Sequence, residues 1–126
     1  MVYPGSGPAG TLGPDYCYKN LLKETGSFAL QRITGAPFSA QQDGQTYNFI
    51  DYDNDGGLDF CLTNYAAAPT RFFHRNPSGS YSSVSTPFTV QKTHLANVWG
   101  DVDNDGDLDV LITSDASGSI LLYRNN

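Results

Sequence analysis

Short apolar runs recur along this chain, each closed off by a cluster of Gly, Pro, Ser, Asn or Asp. Leu58-Asp-Phe-Cys-Leu-Thr63 and Leu108-Asp-Val-Leu-Ile-Thr113 are rich in residues that suit a pleated, half-buried surface. Thr46-Tyr-Asn-Phe-Ile50 and Ala96-Asn-Val-Trp-Gly100 stand just ahead of two acidic stretches and read as strands as well. Arg71-Phe-Phe-His-Arg-Asn76, Ile120-Leu-Leu-Tyr-Arg-Asn125 and Tyr16-Cys-Tyr-Lys-Asn20 supply three more. The polar clusters between them fall at roughly the spacing of short hairpins. No segment reads as a helix, so the pattern predicts an all-β chain.

The strands are organised as a repeat. With Asp51 set against Asp101, the segments Asp51–Thr63 and Asp101–Thr113 share eight of 13 residues. The match runs on: Arg71–Asn76 answers Ile120–Asn125 by its letters, and Tyr16–Asn20 looks like a third copy of that strand. Two of these copies are followed by Gly-Ser-aromatic turns, Gly26-Ser-Phe28 and Gly79-Ser-Tyr81. A unit of about 50 residues holding four antiparallel strands has the size of a propeller blade. The phase of the repeat predicts a partial blade over residues 16–46, a full blade over 47–96 and a partial blade over 97–126. That is about two blades per chain. Residues 1–15, rich in Gly and Pro, read as a flexible leader.

Charge sharpens the picture. The net charge is -6, from 13 acids and seven bases, in 126 residues, and nine of the acids lie in two short stretches. The other four, Asp15, Glu24, Asp43 and Asp115, are outnumbered by the bases. The acidity is therefore local, and clustered carboxylates repel one another unless a cation compensates them. A basic nucleic-acid footprint is absent. No apolar run approaches the ~18 residues of a membrane span, and Met1-Val-Tyr-Pro-Gly5 lacks the basic start and apolar centre of a signal peptide. Cys17 and Cys61 allow one disulfide at most; otherwise they read as small strand residues.

The two stretches are Asp51-Tyr-Asp-Asn-Asp-Gly-Gly-Leu-Asp59 and Asp101-Val-Asp-Asn-Asp-Gly-Asp-Leu-Asp109. Carboxylates at alternate positions, then a Gly and a further Asp, suit calcium, which takes six to eight hard oxygens at about 2.3–2.6 Å. The expected ligands of the first loop are the side chains of Asp51, Asp53, Asp55 and Asp59 with the carbonyl of Gly57. Those of the second are Asp101, Asp103, Asp105 and Asp109 with the carbonyl of Asp107. Gly56 and Gly106 allow the sharp turn; Asn54 and Asn104 tolerate turn conformations and are expected to point outward. An EF-hand would need a bidentate Glu at its last position, where this chain has Leu62 or Ile112. A magnesium site, a catalytic carboxylate pair and a solvated acidic turn are the competing readings. Two copies with one ligand spacing favour calcium, two ions per chain.

Trp99-Gly-Asp-Val-Asp-Asn-Asp-Gly-Asp-Leu-Asp109, the apolar strand after it and Leu122-Tyr-Arg-Asn125 together resemble the FG-GAP/VCBS repeat. The resemblance covers about residues 16–126. It implies a β-propeller with calcium between the first two strands of each blade, as in integrin α-subunit heads and related bacterial extracellular proteins. It also implies a secreted or cell-surface location and a role in adhesion, lectin-type binding or other recognition. Two departures stand out: no acidic loop precedes Tyr16, and Ile50 stands before the first Asp of its loop where Gly100 stands before Asp101.

Propellers of this type close with about six to eight blades, and a two-blade stack would leave apolar faces bare. One expectation is a ring of three or four copies, the last strand set of one chain being completed by the strand near Phe28–Ile33 of the next. Such joins are heterologous and run on as a filament if they do not close. The alternatives are a fragment of a longer propeller or a designed repeat unit.

The residues offer little for catalysis. By letter alignment His74 takes the slot of Tyr123 and reads as a strand residue; His94 reads as a loop residue. No nucleophile–base spacing or phosphate-cradling loop is present, so no enzyme activity is expected. Binding fits better. Shallow inter-blade sites involving His94, Asn97 or Tyr65 are expected to take glycan weakly and gain by multivalency. Trp99, Tyr18, Phe73 and Tyr123 read as packing residues. The rival class is a self-assembling structural module with no ligand of its own.

Overall fold

Alternating side chains become antiparallel ladders throughout. In the computed structural model of the chain the described residues are 16–35, 44–64, 69–89, 94–114 and 118–126; the leader over 1–15 and Tyr65 lie outside them. Strands β1 (Cys17–Asn20) and β2 (Leu30–Ile33) form a two-stranded sheet. Strands β3 (Gly44–Ile50), β4 (Asp59–Asn64), β5 (Arg71–Arg75) and β6 (Tyr81–Val84) form a four-stranded meander in chain order. Strands β7 (His94–Gly100), β8 (Asp109–Ser114) and β9 (Ile120–Tyr123) repeat its first three members as a separate sheet. The chain divides into two units, Met1–Gln42 and Asp43–Asn126; the first holds β1 and β2, the second the two larger sheets.

One element departs from the all-strand expectation. A single helical turn, α1 (Leu22–Thr25), joins β1 to β2. The Asn20 side-chain carbonyl accepts the Leu22 amide at 3.0 Å, and Gly26, at φ 71°, closes the turn with its amide on the Leu22 carbonyl. Four residues are too few to leave a helical period in the sequence.

In the second unit the two sheets stack face to face. Phe72 of β5 lies flat against Trp99 of β7, with ring centroids 5.3 Å apart, and Phe88 packs against Phe72, Trp99 and Tyr123. Cys61, Val110 and Ile112 complete the buried cluster. Cys17 and Cys61 are free thiols, and burial pushes the Cys61 thiol up to about 12. A row of polar contacts runs beside the apolar ones. Asn48 Nδ2 donates to both the side-chain and the backbone oxygen of Asn97 at 2.8 Å, and the Trp99 indole donates to the same Asn97 side chain at 2.8 Å. The Thr46 and Thr63 hydroxyls both donate to the Leu95 carbonyl. Every buried polar side chain in this row has a partner across the interface, which offsets its desolvation.

The ladders set the repeat at 50 residues without a slip. Phe60 pairs with Phe73, and Val110 pairs with Tyr123. The letter match of Arg71–Asn76 to Ile120–Asn125 is thus one residue out of step. Phe73 corresponds to Tyr123, and His74 corresponds to Arg124. A one-residue slip in a strand swaps its faces, so this correction decides which side chain meets the acidic loop.

Candidate metal centre

Each acidic stretch links the first two strands of a sheet: residues 51–58 join β3 to β4, and residues 101–108 join β7 to β8. The loops fold on themselves through aspartates that accept backbone amides. Asp51 Oδ2 accepts the Gly56 amide at 3.0 Å, and Asp101 Oδ2 accepts the Gly106 amide at 3.0 Å. Asn54 and Gly56 sit at φ 58° and 82°, and Asn104 and Gly106 at 62° and 100°. Asn and Gly are the residues that take this left-handed conformation at least cost.

The last aspartate of each loop ties it to the third strand. Asp59 is fully buried and accepts the amides of Tyr52 at 3.3 Å and Arg75 at 2.7 Å. Asp109 does the same with Val102 at 3.0 Å and Asn125 at 2.9 Å. Those two amides, with a smaller contribution from the Arg124 charge, hold the Asp109 carboxyl below the usual range. Burial, and then the charges of Asp53, Asp59 and Asp55, push the Tyr52 hydroxyl above its usual value.

Three sets of side-chain donors converge among the described residues, each with its atoms within 4.8 Å of one another: Asp51, Asp53 and Asp55; Asp53, Asp59 and His74; and Asp101, Asp103 and Asp109. The first loop's four expected carboxylates are thus all drawn into converging sets, and Asp53 is shared between two of them. In the second loop Asp105 stands outside the set, its Oδ1 accepting the Asp107 amide at 3.0 Å. Gly57 occupies the place of Asp107. A Cβ there would stand 2.8 Å from Asp55 Oδ1, so that carboxylate folds down over the glycine.

The fit to a cation is tested by Asp51. Its Oδ1 is buried and has no hydrogen-bond partner. An uncompensated buried carboxylate oxygen is costly, and here it lies in a set of three carboxylates. A hard divalent ion is the group such a set accommodates.

Two participants were missed by the letters. His74 Nδ1 lies 3.1 Å from Asp59 Oδ1 and 3.3 Å from Asp53 Oδ2. At the second loop Arg124 lies 3.2 Å from Asp103 Oδ2. Carrying the 50-residue offset through to the third strand would have found both. Asn54 also differs from expectation. Its side chain points at the second loop, 3.4 Å from the Gly106 carbonyl and 3.3 Å from Asp107 Oδ1.

The expected glycan contacts are corrected as well. His94 begins β7 instead of lying in a loop; it is fully buried, with Nδ1 2.6 Å from the Thr70 hydroxyl. Asn97 is buried in the inter-sheet contact. Neither side chain is open to a sugar. A cavity of about 240 Å³ lies elsewhere between the sheets, lined by Tyr52, Phe88, Trp99, Tyr123 and Arg124 among others.

Residues 51–112, from the first aspartate of the first loop to the buried Ile112 of β8, match the FG-GAP-like repeat family. This segment, just under half of the chain, is similar to an FG-GAP-like repeat. Repeats of this kind are propeller blades, so the meander β3–β6 and the sheet β7–β9 are blade structures of the β-propeller type. They are often calcium-binding and typically extracellular. No helix among the described residues is long and apolar enough to cross a membrane. Among curated proteins and solved structures, none matches the chain.

Proposed function

We propose that the chain is a calcium-stabilised β-propeller recognition module of a secreted or cell-surface protein, with adhesive or carbohydrate-binding activity and no enzymatic role. The observation that carries the calcium reading is the orphaned, buried Asp51 Oδ1 amid converging carboxylates. Asp51, Asp53, Asp55 and Asp59, with the Gly57 carbonyl, would hold one ion. Asp101, Asp103, Asp105 and Asp109, with the Asp107 carbonyl, would hold the other. Bound calcium would supply positive charge at the root of the first hairpin of each blade. The protein's own part is to hold the last aspartate of each loop against the third strand through backbone amides.

Recognition is better supported at the aromatic cavity between the blades than at His94 or Asn97. Aromatic faces offer stacking to a sugar ring, and Arg124 and Asn125, also in the lining, offer polar groups. A glycan array probed in calcium should give a hit that Trp99→Ala weakens; an array without a hit would remove the carbohydrate reading.

A second reading, assembly with further copies of this chain, is favoured by one observation. Val98, Ile120 and Leu122 are 63%, 68% and 49% exposed, while the residues 50 positions earlier in the first blade include Thr70 at 1% and Phe72 at 2%, covered by the second blade. The bare face is the counterpart of one that a neighbouring blade covers. A native mass spectrum in micromolar calcium counts chains and ions together. Three or four chains with two calcium ions each supports a closed ring, and a calcium-loaded single chain rejects it.

A further inference from the structure

The two acidic loops are not equivalent. The difference lies in one residue of the third strand, His74 at the first loop and Arg124 at the second. Arg124 is a permanent cation with no lone pair to offer, so at the second loop it competes with any metal for Asp103. His74 is a different kind of neighbour. Its Nδ1 is buried and makes no hydrogen bond, yet it stands 3.1 Å from Asp59 Oδ1 and 3.3 Å from Asp53 Oδ2. Those carboxylate oxygens are acceptors. A neutral nitrogen lone pair facing them is repelled unless a proton or a metal ion stands between.

The spacing suits a metal. Ligand atoms about 2.1 Å from a small divalent ion, about 90–110° apart around it, lie roughly 3.0–3.4 Å from one another. Imidazole with carboxylates is a donor set for first-row transition ions, whereas carboxylates and carbonyls alone favour calcium and magnesium. The ring is also held in place. It meets Tyr52 edge-on at 6.2 Å, and the Asp59 carboxylate is fixed by two backbone amides.

We propose that the first loop binds a first-row transition divalent ion through Asp53, Asp59 and His74, and that the second loop, with Arg124 in the place of His74, does not. This rests on the reading of both loops as cation sites. Because Asp53 also belongs to the set with Asp51 and Asp55, calcium and the transition ion compete at the first loop. The two like-looking loops then differ in what they accept: calcium at both, and a transition ion at the first alone.

The test uses the whole chain stripped by chelator and titrated separately with Co2+ and Ca2+, read by calorimetry and by the visible absorption of cobalt. The proposal predicts one Co2+ per chain, displaced by excess Ca2+. His74→Ala should weaken Co2+ binding by about tenfold or more while leaving Ca2+ at the second loop untouched. Arg124→His, at an exposed side chain, should create a second Co2+ site, so the proposal does not hang on the folding of one variant. Calcium at both loops with no cobalt, or cobalt affinity unchanged in His74→Ala, overturns this proposal alone. Binding of neither ion overturns the calcium reading along with it.

Discussion

The Thr70 hydroxyl oxygen lies 2.6 Å from His94 Nδ1, and both side chains are buried where the first blade meets the second. His94 Nε2 is buried too and has no partner. A proton added to this ring would place a charge where nothing receives it, and burial holds the His94 pKa below its ordinary 6.5. Below about pH 6.5 the unfolded chain therefore takes up a proton that the folded chain refuses. The stabilising contribution is full above that pH and is lost as pH falls toward the folded value. Melting temperature followed from pH 7.5 to 5 should fall more steeply in the parent than in His94→Gln. Parallel curves would show that His94 does not titrate with folding.

Phe72 touches Trp99, Phe88 and Tyr52 and is 2% exposed. Truncation would remove the ring around which the two blades pack. Phe72→Ala is expected to cost the second unit about 3–5 kcal/mol, measured by urea unfolding. A loss under about 0.5 kcal/mol, the usual size of a surface change, would mean that the blades are held mainly by their polar row.

Much of this architecture is legible in the sequence, for a physical reason. A strand beside a packed sheet needs apolar residues on one face, and a cation loop needs its carboxylates at fixed spacing. Both requirements show as letters in Leu58–Thr63 and Asp51–Asp59. What could not be read depends on register and on contacts between blades. Arg75 and Arg124 share a letter, but the ladder sets Arg75 opposite the role of Asn125, since both donate their amides to the last aspartate of a loop. His94 looks like a polar loop residue and Asn97 like an open sugar contact because their partners, Thr70 and Asn48, lie far off in the chain. The turn at Leu22–Thr25 is set by local hydrogen bonds that leave no periodic trace.

Asn54 joins the loops through contacts of 3.3–3.4 Å to Asp107 and Gly106. Filling one loop should therefore assist the other slightly, by about 0.5 kcal/mol or about a twofold change in affinity. Asn54→Gly accepts the φ of 58° without strain and removes the link. Calorimetric titration with calcium is expected to show two independent sites in the variant and weak positive cooperativity in the parent. Equal cooperativity in both would place the coupling elsewhere.

The central claim is that cations held by the two loops stabilise the blades, and thermal melting of the double variant Asp53→Asn, Asp103→Asn in calcium and in chelator tests it most directly. A site occupied at about 100 times its Kd adds about 2.7 kcal/mol, so the parent should melt well above its chelated form. The variant should melt at nearly the same temperature in both conditions, close to the chelated parent. A variant that still gains the parent's full rise in calcium would contradict the assignment of these aspartates.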